Sequence, residues 1–456
     1  LQTKFIGLNM STINEIKDNV NEIESFLNEE IDYDMSAAEI AKCLLPIKNE
    51  DESLYLELLQ KLPNDVLGDV VLELPEYHLK SIVENISSAQ LSEVIEDLES
   101  DDAADLMQDI EEINEDKAEE IFAGLDKEDQ EDIKRLSMYE EDEAGSYMQT
   151  EVFTASYEEK IQDAIDRLRQ LKQEGELENI HQVSVVGKIN RLLYTIFLED
   201  LITFDFKKSF KEALEGIEEE FKPRYVTDDE DISAVIELFE DYDLSALPVV
   251  NEHGSLLGRI TADDIHDVIQ ERATEQIYHL AGVDEEAEHE EGLYEAGKSR
   301  MSWLFLNLIT AIVASLVIGL FDQVLQAYVA LAVLMPIVAS MGGNAGTQTL
   351  TIMVRQLALG EVDFENSKHA IKKEIILSVI NGLVFALLIG IISFLWFQEV
   401  KIGFVIAIAM IVNLFCAGFF GAMIPLSLKK FGIDPAIGST VFLTTITDVV
   451  GFLSFL

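Results

Sequence analysis

A single carboxylate, Asp448, carries the only charge in the apolar run Pro435–Leu456. A lone Asp at membrane depth costs about 2.5–3.5 kcal/mol on insertion scales, so it must face protein or water. Thr444 and Thr445, at i−4 and i−3, put hydroxyls on its face, and Gly451, at i+3, leaves that face open. Such a set can hold a cation in passage; the alternative is an Asp kept protonated by buried hydrogen bonds. A second run, Pro336-Ile337-Val338-Ala339-Ser340-Met341-Gly342-Gly343-Asn344-Ala345-Gly346-Thr347-Gln348, sets Pro, three glycines and two amides inside another apolar stretch. Gly and Pro are expected to break the helix there, and irregular backbone at that depth must be buried or line a wet cavity. Asn344 and Gln348, four apart beside freed carbonyls, point to a pore lining that includes Gly342, Gly343 and Gly346. The bland alternative is a close-packed crossing of small residues.

Carboxylates also recur on two helical stretches. Asp102, Asp105 and Asp109 fall at i, i+3 and i+7, and Asp264, Asp267, Glu271 and Glu275 at i, i+3, i+7 and i+11, so each set shares a helix face. A solvated face is the ordinary meaning of such a stripe. Two stripes with few bases to neutralise them favour bound cations. Oxygen-rich sites suit a hard ion such as Mg2+ or Ca2+. The seven His are scattered without ligand spacing, which argues against zinc or copper. No Ser/His or Cys/His set supports an enzyme. Gly292–Ser299 matches the phosphate-loop pattern G-x-x-x-x-G-K-S, but acidic residues 284–291 precede it and an apolar span follows, where the motif needs a strand and a βαβ helix.

The elements that must hold these residues follow from charge and hydropathy. The chain of 456 residues has a formal net charge of −54, yet residues 299–456 hold eight acids and eight bases, so all of the excess lies on residues 1–298. That acidic body argues against nucleic acid, and its like charges oppose compaction unless cations collect on it. Beyond Ser299, Met301–Phe321, Gln323–Val354, Ile375–Gln398, Ile402–Leu428 and Pro435–Leu456 each reach the roughly 20 residues a bilayer core requires, giving five spans in which Asp448 is the only ionisable group. Lys298, Arg300, Arg355, Lys368, Lys372, Lys373, Lys429 and Lys430 fall in alternate loops, which places the acidic body in the cytoplasm. No cleavable signal peptide precedes it. The absence of an initial Met and the stop at Leu456 suggest a sequence trimmed at both ends. Cys43 and Cys416 fall in different compartments and are expected in cores, not in a disulfide.

Residues from about 10 to 135 read as short helices in a superhelix, punctuated by Leu62-Pro63-Asn64-Asp65 and Leu74-Pro75-Glu76. From about 138 to 275 two β-α-β-β-α units follow: one through Ala144–Met148, a helix Ile161–Leu171, the strand His181–Val186 and Leu193–Thr203; the other through Tyr225–Thr227, a helix Ile232–Tyr242, the strand Ala246–Asn251 and Leu256–Asp267. Leu247-Pro248-Val249-Val250-Asn251-Glu252-His253-Gly254 with Leu257-Gly258-Arg259-Ile260-Thr261 resembles the second half of a CBS-domain pair. That resemblance implies an adenosine nucleotide such as ATP in the cleft of the pair.

The run Pro336–Gln348, the stretch Gly432-Ile433-Asp434-Pro435-Ala436 and Thr444-Thr445-Ile446-Thr447-Asp448-Val449-Val450-Gly451 resemble the MgtE magnesium-transporter family, as does the domain order along nearly the whole chain. The resemblance implies a homodimeric Mg2+ channel of the bacterial inner membrane, its pore on the two-fold axis and Asp448 of each subunit facing the ion with Asn344. Mg2+ sheds water reluctantly, so contacts through its waters would suffice and would let it leave. The resemblance also implies closure by Mg2+ ions bridging the N domain, CBS pair and connecting helix, at Asp102, Asp105, Asp231, Asp243, Asp264, Asp267 and Glu275. Two acidic positions of the family pattern are Arg272 and Gln276 here, which bears on the number of bridging ions.

The expected architecture is therefore a multidomain membrane protein. It comprises an acidic α-helical N domain (1–135), an α/β CBS pair (136–200 and 201–275), a connecting helix (276–298) and a five-helix transmembrane domain (299–456). Its expected function is Mg2+ transport down the electrochemical gradient, gated shut by intracellular Mg2+. The competing classes are a membrane-anchored Mg2+ or nucleotide sensor and a cation-coupled Mg2+ exchanger.

Overall fold

A computed structural model describes residues 10–28, 35–175, 177, 179–283, 293–364 and 366–456. The chain forms two compact units, Leu1–Gln270 and Glu271–Leu456. In the first unit, short helices run from Met10–Leu27 to Lys127–Leu136. Five of them start where a polar side chain caps free backbone N–H groups: Ser36 and Glu39 form a capping box, and Asp51, Ser87, Asn114 and Asp126 accept at the starts of four others. Pro63 stands just before the helix Asn64–Leu72, while Glu76–His78 form a single 3-10 turn. The apolar faces close one core, in which Tyr55 is fully buried and its hydroxyl meets His78 Nδ1 at 2.9 Å. Burial, with Lys48 nearby, lowers the His78 pKa to about 4, so it packs as a neutral ring.

Two three-stranded sheets follow. β1 (Thr154–Ser156), β2 (Gln182–Val186) and β3 (Leu192–Phe197) form the first; β4 (Val226–Thr227), β5 (Ala246–Val250) and β6 (Leu256–Thr261) form the second. In each, the outer strand runs parallel to the middle one, which pairs antiparallel with the next. The register slips at matching places, Val185/Val186 and Val249/Val250. This repeat is the internal duplication read from the sequence.

The cores are exchanged relative to the expected division at 200/201. Leu136, Ala144 and Met148 pack with Val226, Leu247 and Ile260 of the second sheet, and Phe210 and Leu214 pack with Val183 and Ile196 of the first. Each connecting segment completes the neighbouring unit because its backbone pairs there: Gln149 exchanges hydrogen bonds with Arg259 at 2.8 and 2.9 Å, and Phe210 N donates to Glu159 O at 3.0 Å. The close approach of Met148 and Gln149 leaves no room for a side chain at Gly258, where a methyl would overlap Met148 Cγ and the Gln149 carbonyl. Gly258→Ala is therefore expected to lower stability by about 1–3 kcal/mol, the usual range for overpacking, as a drop in thermal midpoint of the solubilised chain.

The last helix of the second CBS-like unit is Ala262–Ala281, one uninterrupted element. No helix boundary separates a CBS helix from a connecting helix at 275/276. The element ends at Gly282, whose φ of +71° suits glycine. Leu293–Gly319 is the next helix among the described residues, so Leu293–Ser299 of the phosphate-loop-like pattern are helical; Gly292 and residues 284–291 lie outside the described residues.

Among the described residues of the second unit, five helices are long and apolar: Leu293–Gly319, Val329–Ala358, Lys368–Phe397, Val400–Lys430 and the shorter Ser439–Phe455, here the first to fifth. Four are long and apolar enough to cross a membrane, and the fifth has 17 residues. The second helix corrects an expectation. Pro336–Gln348 lies within continuous α-helix, without the expected interruption. Its glycines serve packing instead: a Cβ at Gly346 would stand 2.9 Å from Leu443, and one at Gly421 would stand 2.9 Å from Gly346 O. Backbones can approach this closely only where side chains are absent. Cys43 and Cys416 are half-buried and unpaired with each other, not core residues.

Candidate functional site

Two constellations emerge, one in each unit. The first sits where the helix Ser100–Ile113 meets the second CBS-like sheet. Glu99 is the residue before that helix, and Asp101 and Asp102 occupy its first turn, where free N–H groups and the helix dipole favour negative charge. Ser100 locks this end in place: its Oγ accepts from Thr150 N at 2.8 Å and donates to Glu151 at 3.0 Å. Gln149, itself buried, donates through Nε2 to Glu99 at 2.7 Å and to Asp264 at 3.2 Å. Asp264 also accepts from Thr261 N at 3.2 Å and Thr261 Oγ1 at 2.5 Å. Arg259, buried under the cluster, donates to Gln149 at 3.2 Å and to the Asn179 carbonyl at 3.2 Å.

Carboxylate oxygens of Glu99, Asp101 and Asp102 lie within 4.8 Å of one another. Asp101 is 5 % exposed, and its Oδ1 has no hydrogen-bond donor. Burial is the main cause of a proton-retaining shift in each group, with neighbouring carboxylates adding to it. Glu99 is pushed up to about 7, Asp102 to about 7, and Asp101 well above the carboxylate range. Asp264 is raised too, by burial, although the Thr261 hydrogen bonds pull it back. One arginine cannot offset four acids. This pocket retains protons or takes a cation, as closely spaced buried carboxylates do.

Of the residues singled out by sequence, Asp102 and Asp264 meet here. Asp105 and Asp267 are exposed on their helices. Asp231 and Asp243 cap opposite ends of the helix Ile232–Tyr242, Asp231 accepting from Ser233 N at 2.7 Å. Glu275 stands at the far end of Ala262–Ala281, 3.8 Å from His279. Glu99 and Asp101 were missed because helical periodicity selects a face, whereas the contact uses the tip of the helix. The acidic run Glu99-Ser100-Asp101-Asp102 opening a helix was the available signal.

The second constellation lies on the apolar helices. Asp448 is half-buried on the fifth, with no hydrogen bond among the described residues. Thr444 and Thr445 donate to carbonyls of their own helix, at 2.9 Å to Thr440 and 2.6 Å to Val441, which leaves the hydroxyl oxygens as acceptors. On the second helix Asn344 and Gln348 are exposed, and a side chain at Gly343 would meet nothing; Gly342 and Gly346 are buried. Among the buried polar residues that escaped the sequence reading are a carboxylate and an amide. Glu374 lies inside the third helix, 5 % exposed, and accepts from Thr349 Oγ1 at 3.1 Å, so Asp448 is not the sole carboxylate within these helices. Asn413, fully buried on the fourth, donates to Val338 O at 2.8 Å. In the segment before the fifth helix, Asp434 accepts from Ala436 N at 2.8 Å and from His279 Nδ1 at 2.8 Å. Thr440 Oγ1 donates to Leu280 O at 2.9 Å, so the end of the helix Ala262–Ala281 is tied to the Asp448-bearing helix.

Membrane-length apolar helices with buried carboxylates, joined to an acidic body whose carboxylates converge, define a polytopic membrane transporter of cations with an appended CBS pair. Residues 335–456 match the family model of MgtE, a divalent cation transporter; 35–142 match the MgtE intracellular N domain and 219–271 the CBS domain. The chain is 32% identical over 335 residues to the magnesium transporter MgtE of Thermus thermophilus, covering 73% of this chain and 72% of that one. It is 34% identical over 322 residues to its counterpart in Enterococcus faecalis, covering 71% and 69%. A solved structure described as the cytosolic domain of the Mg2+ channel MgtE in complex with ATP aligns with a TM-score of 0.48 and 26% identity, over 56% of this chain and 98% of that one. The chain belongs to the MgtE family of magnesium transporters.

Proposed function

We propose that this chain carries Mg2+ across the bacterial inner membrane down its electrochemical gradient and closes when Mg2+ on the cytoplasmic side rises. The observation that carries this reading is the convergence of Glu99, Asp101, Asp102 and Asp264 from two domains onto one undersatisfied pocket. A divalent ion there favours the docked arrangement only because it binds that arrangement better than the separated one. Asp105, Asp267, Asp231, Asp243 and Glu275 add negative potential and candidate outer positions. With the acidic unit in the cytoplasm, the basic residues of alternate loops lie on the same side.

The ion path in this reading is formed by two copies of the chain, each presenting Asp448 and Asn344 with Gln348, Thr444 and Thr445 nearby. Exposed amides on an apolar helix support a partner or water at that surface. Mg2+ would be held through its own waters, as its reluctance to dehydrate requires. The CBS pair is the place for an adenosine nucleotide, and calorimetric titration with ATP decides it: absence of binding heat removes the nucleotide from the reading.

The test is Mg2+ flux into liposomes holding the full chain, at low and high Mg2+ on the cytoplasmic face. Flux at low Mg2+ that falls at millimolar Mg2+ is the expected result. No flux under any gradient would favour the non-transporting sensor, and flux that requires an opposing Na+ or H+ gradient would favour the exchanger.

A further inference from the structure

Asn413 is the fully buried amide in the middle of the apolar helices, and its surroundings are arranged around it. Its Nδ2 donates to the Val338 carbonyl at 2.8 Å, while its Oδ1 is buried without a hydrogen-bond partner. Two glycines from two other helices form its socket. A methyl at Gly342 of the second helix would overlap the amide, and one at Gly451 of the fifth would stand 2.8 Å from Nδ2. An aliphatic side chain would fill this volume without an orphaned oxygen, and an unpaired polar group in apolar surroundings is costly. What the amide adds is direction: one bond to a fixed carbonyl, between two surfaces that admit no Cβ.

We propose that Asn413 is a positioning residue, a pin that fixes the spacing and rotation of the Asn344-bearing and Asp448-bearing helices against each other. Gly342 lies two residues before Asn344, and Gly451 three residues after Asp448, so both proposed ion contacts are within one turn of the socket. Sliding the fifth helix by one residue brings Val450 or Phe452 onto the amide, and sliding the second so that Met341 replaces Gly342 does the same; only the shift toward Gly343 is tolerated. The inference rests on the reading that Asp448 lines the ion path.

The test uses the full chain in liposomes, with Mg2+ and Ca2+ fluxes measured separately and the thermal midpoint of each variant taken in detergent. Gly342→Ala is expected to lower Mg2+ flux at least about tenfold, the scale set by a misplacement on the order of 1 Å in a positioned site. Adding Asn413→Ala should relieve that clash and return the double variant to the level of Asn413→Ala alone, in flux and in thermal midpoint. Asn413→Leu, which keeps the branched outline with bulkier ends and loses the bond, should reduce the preference for Mg2+ over Ca2+ several-fold, with its thermal midpoint showing that it folds. Gly342→Ala that is silent or is not relieved by Asn413→Ala overturns the proposal, and so does Asn413→Leu with wild-type flux and preference. Asp448→Ala that still conducts, beside an altered preference in Asn413→Leu, overturns the Asp448 reading and leaves the pin in place.

Discussion

Asp448→Ala is expected to bring Mg2+ flux in liposomes to the background of empty vesicles. One unit charge about 4 Å from another contributes roughly 4 kcal/mol at an effective dielectric constant near 20, so losing it beside a divalent ion should reduce conduction at least about 100-fold. Asp448→Asn separates charge from shape. It keeps the size and one acceptor oxygen, and is expected to conduct almost as poorly as the Ala variant, because Thr444 and Thr445 offer only neutral oxygens. Asp322→Asn, at the exposed start of the short helix Asp322–Ala327, serves as a matched loss of charge and should conduct normally. Wild-type flux through Asp448→Asn would mean that the carboxylate carries no charge during transport, and the pore reading would fall.

Asp101→Asn combined with Asp264→Asn should leave the transporter conducting at millimolar cytoplasmic Mg2+, where the wild type closes. Asp101 lies in the helical N domain and Asp264 in the second CBS-like unit, and a cation bridging them would have to displace protons to enter. Glu99 and Asp102 both titrate near 7 in the folded chain, against about 4 for free carboxyls. A carboxyl with a raised folded pKa contributes stability that is fully present below its unfolded value and is lost as pH rises through the folded one. In Mg2+-free solution the thermal midpoint should therefore fall between about pH 4 and 7. Above that window the pocket is ionised and its carboxylates repel one another, so Mg2+ should raise the midpoint more at pH 8 than at pH 5, with proton release largest near pH 7. The double Asn variant should flatten the Mg2+ effect and lessen the pH trend, which burial of Glu99 and Asp102 keeps in part. Inhibition by Mg2+ that survives in it would refute the assignment of this pocket to the gate.

These two expectations differ in how they became visible. Asp448 is legible because a charge inside a long apolar run is expensive, and expense is a property of local composition. The five apolar helices and the duplicated CBS-like sheets are legible for the same reason: hydropathy length and period repeat along the chain. Glu374 escaped because it lies one residue outside the apolar run from which the span was counted, whereas the helix itself begins at Lys368. Asn413 escaped because a single amide scarcely lowers the hydropathy of its window. The glycines of Pro336–Gln348 were read as breakers, yet in a continuous helix the same missing side chains admit an amide and a leucine from neighbouring helices.

The boundary between what each level determines follows from range. The sequence alone determined the class of protein, the number of apolar helices, the duplicated sheets and the carboxylate at Asp448, because each depends on periodicity or charge within about twenty residues. Tertiary structure alone decided which acids meet. Glu99 and Asp264, from separate segments, converge on Gln149 beside Asp101 and Asp102, while Asp105 and Asp267, on the stripes the helical period singled out, are exposed. A helical period states which residues share a face. Which end of that helix is buried against another domain depends on long-range packing, and that burial is what turns ordinary surface acids into a cluster that retains protons or takes a cation.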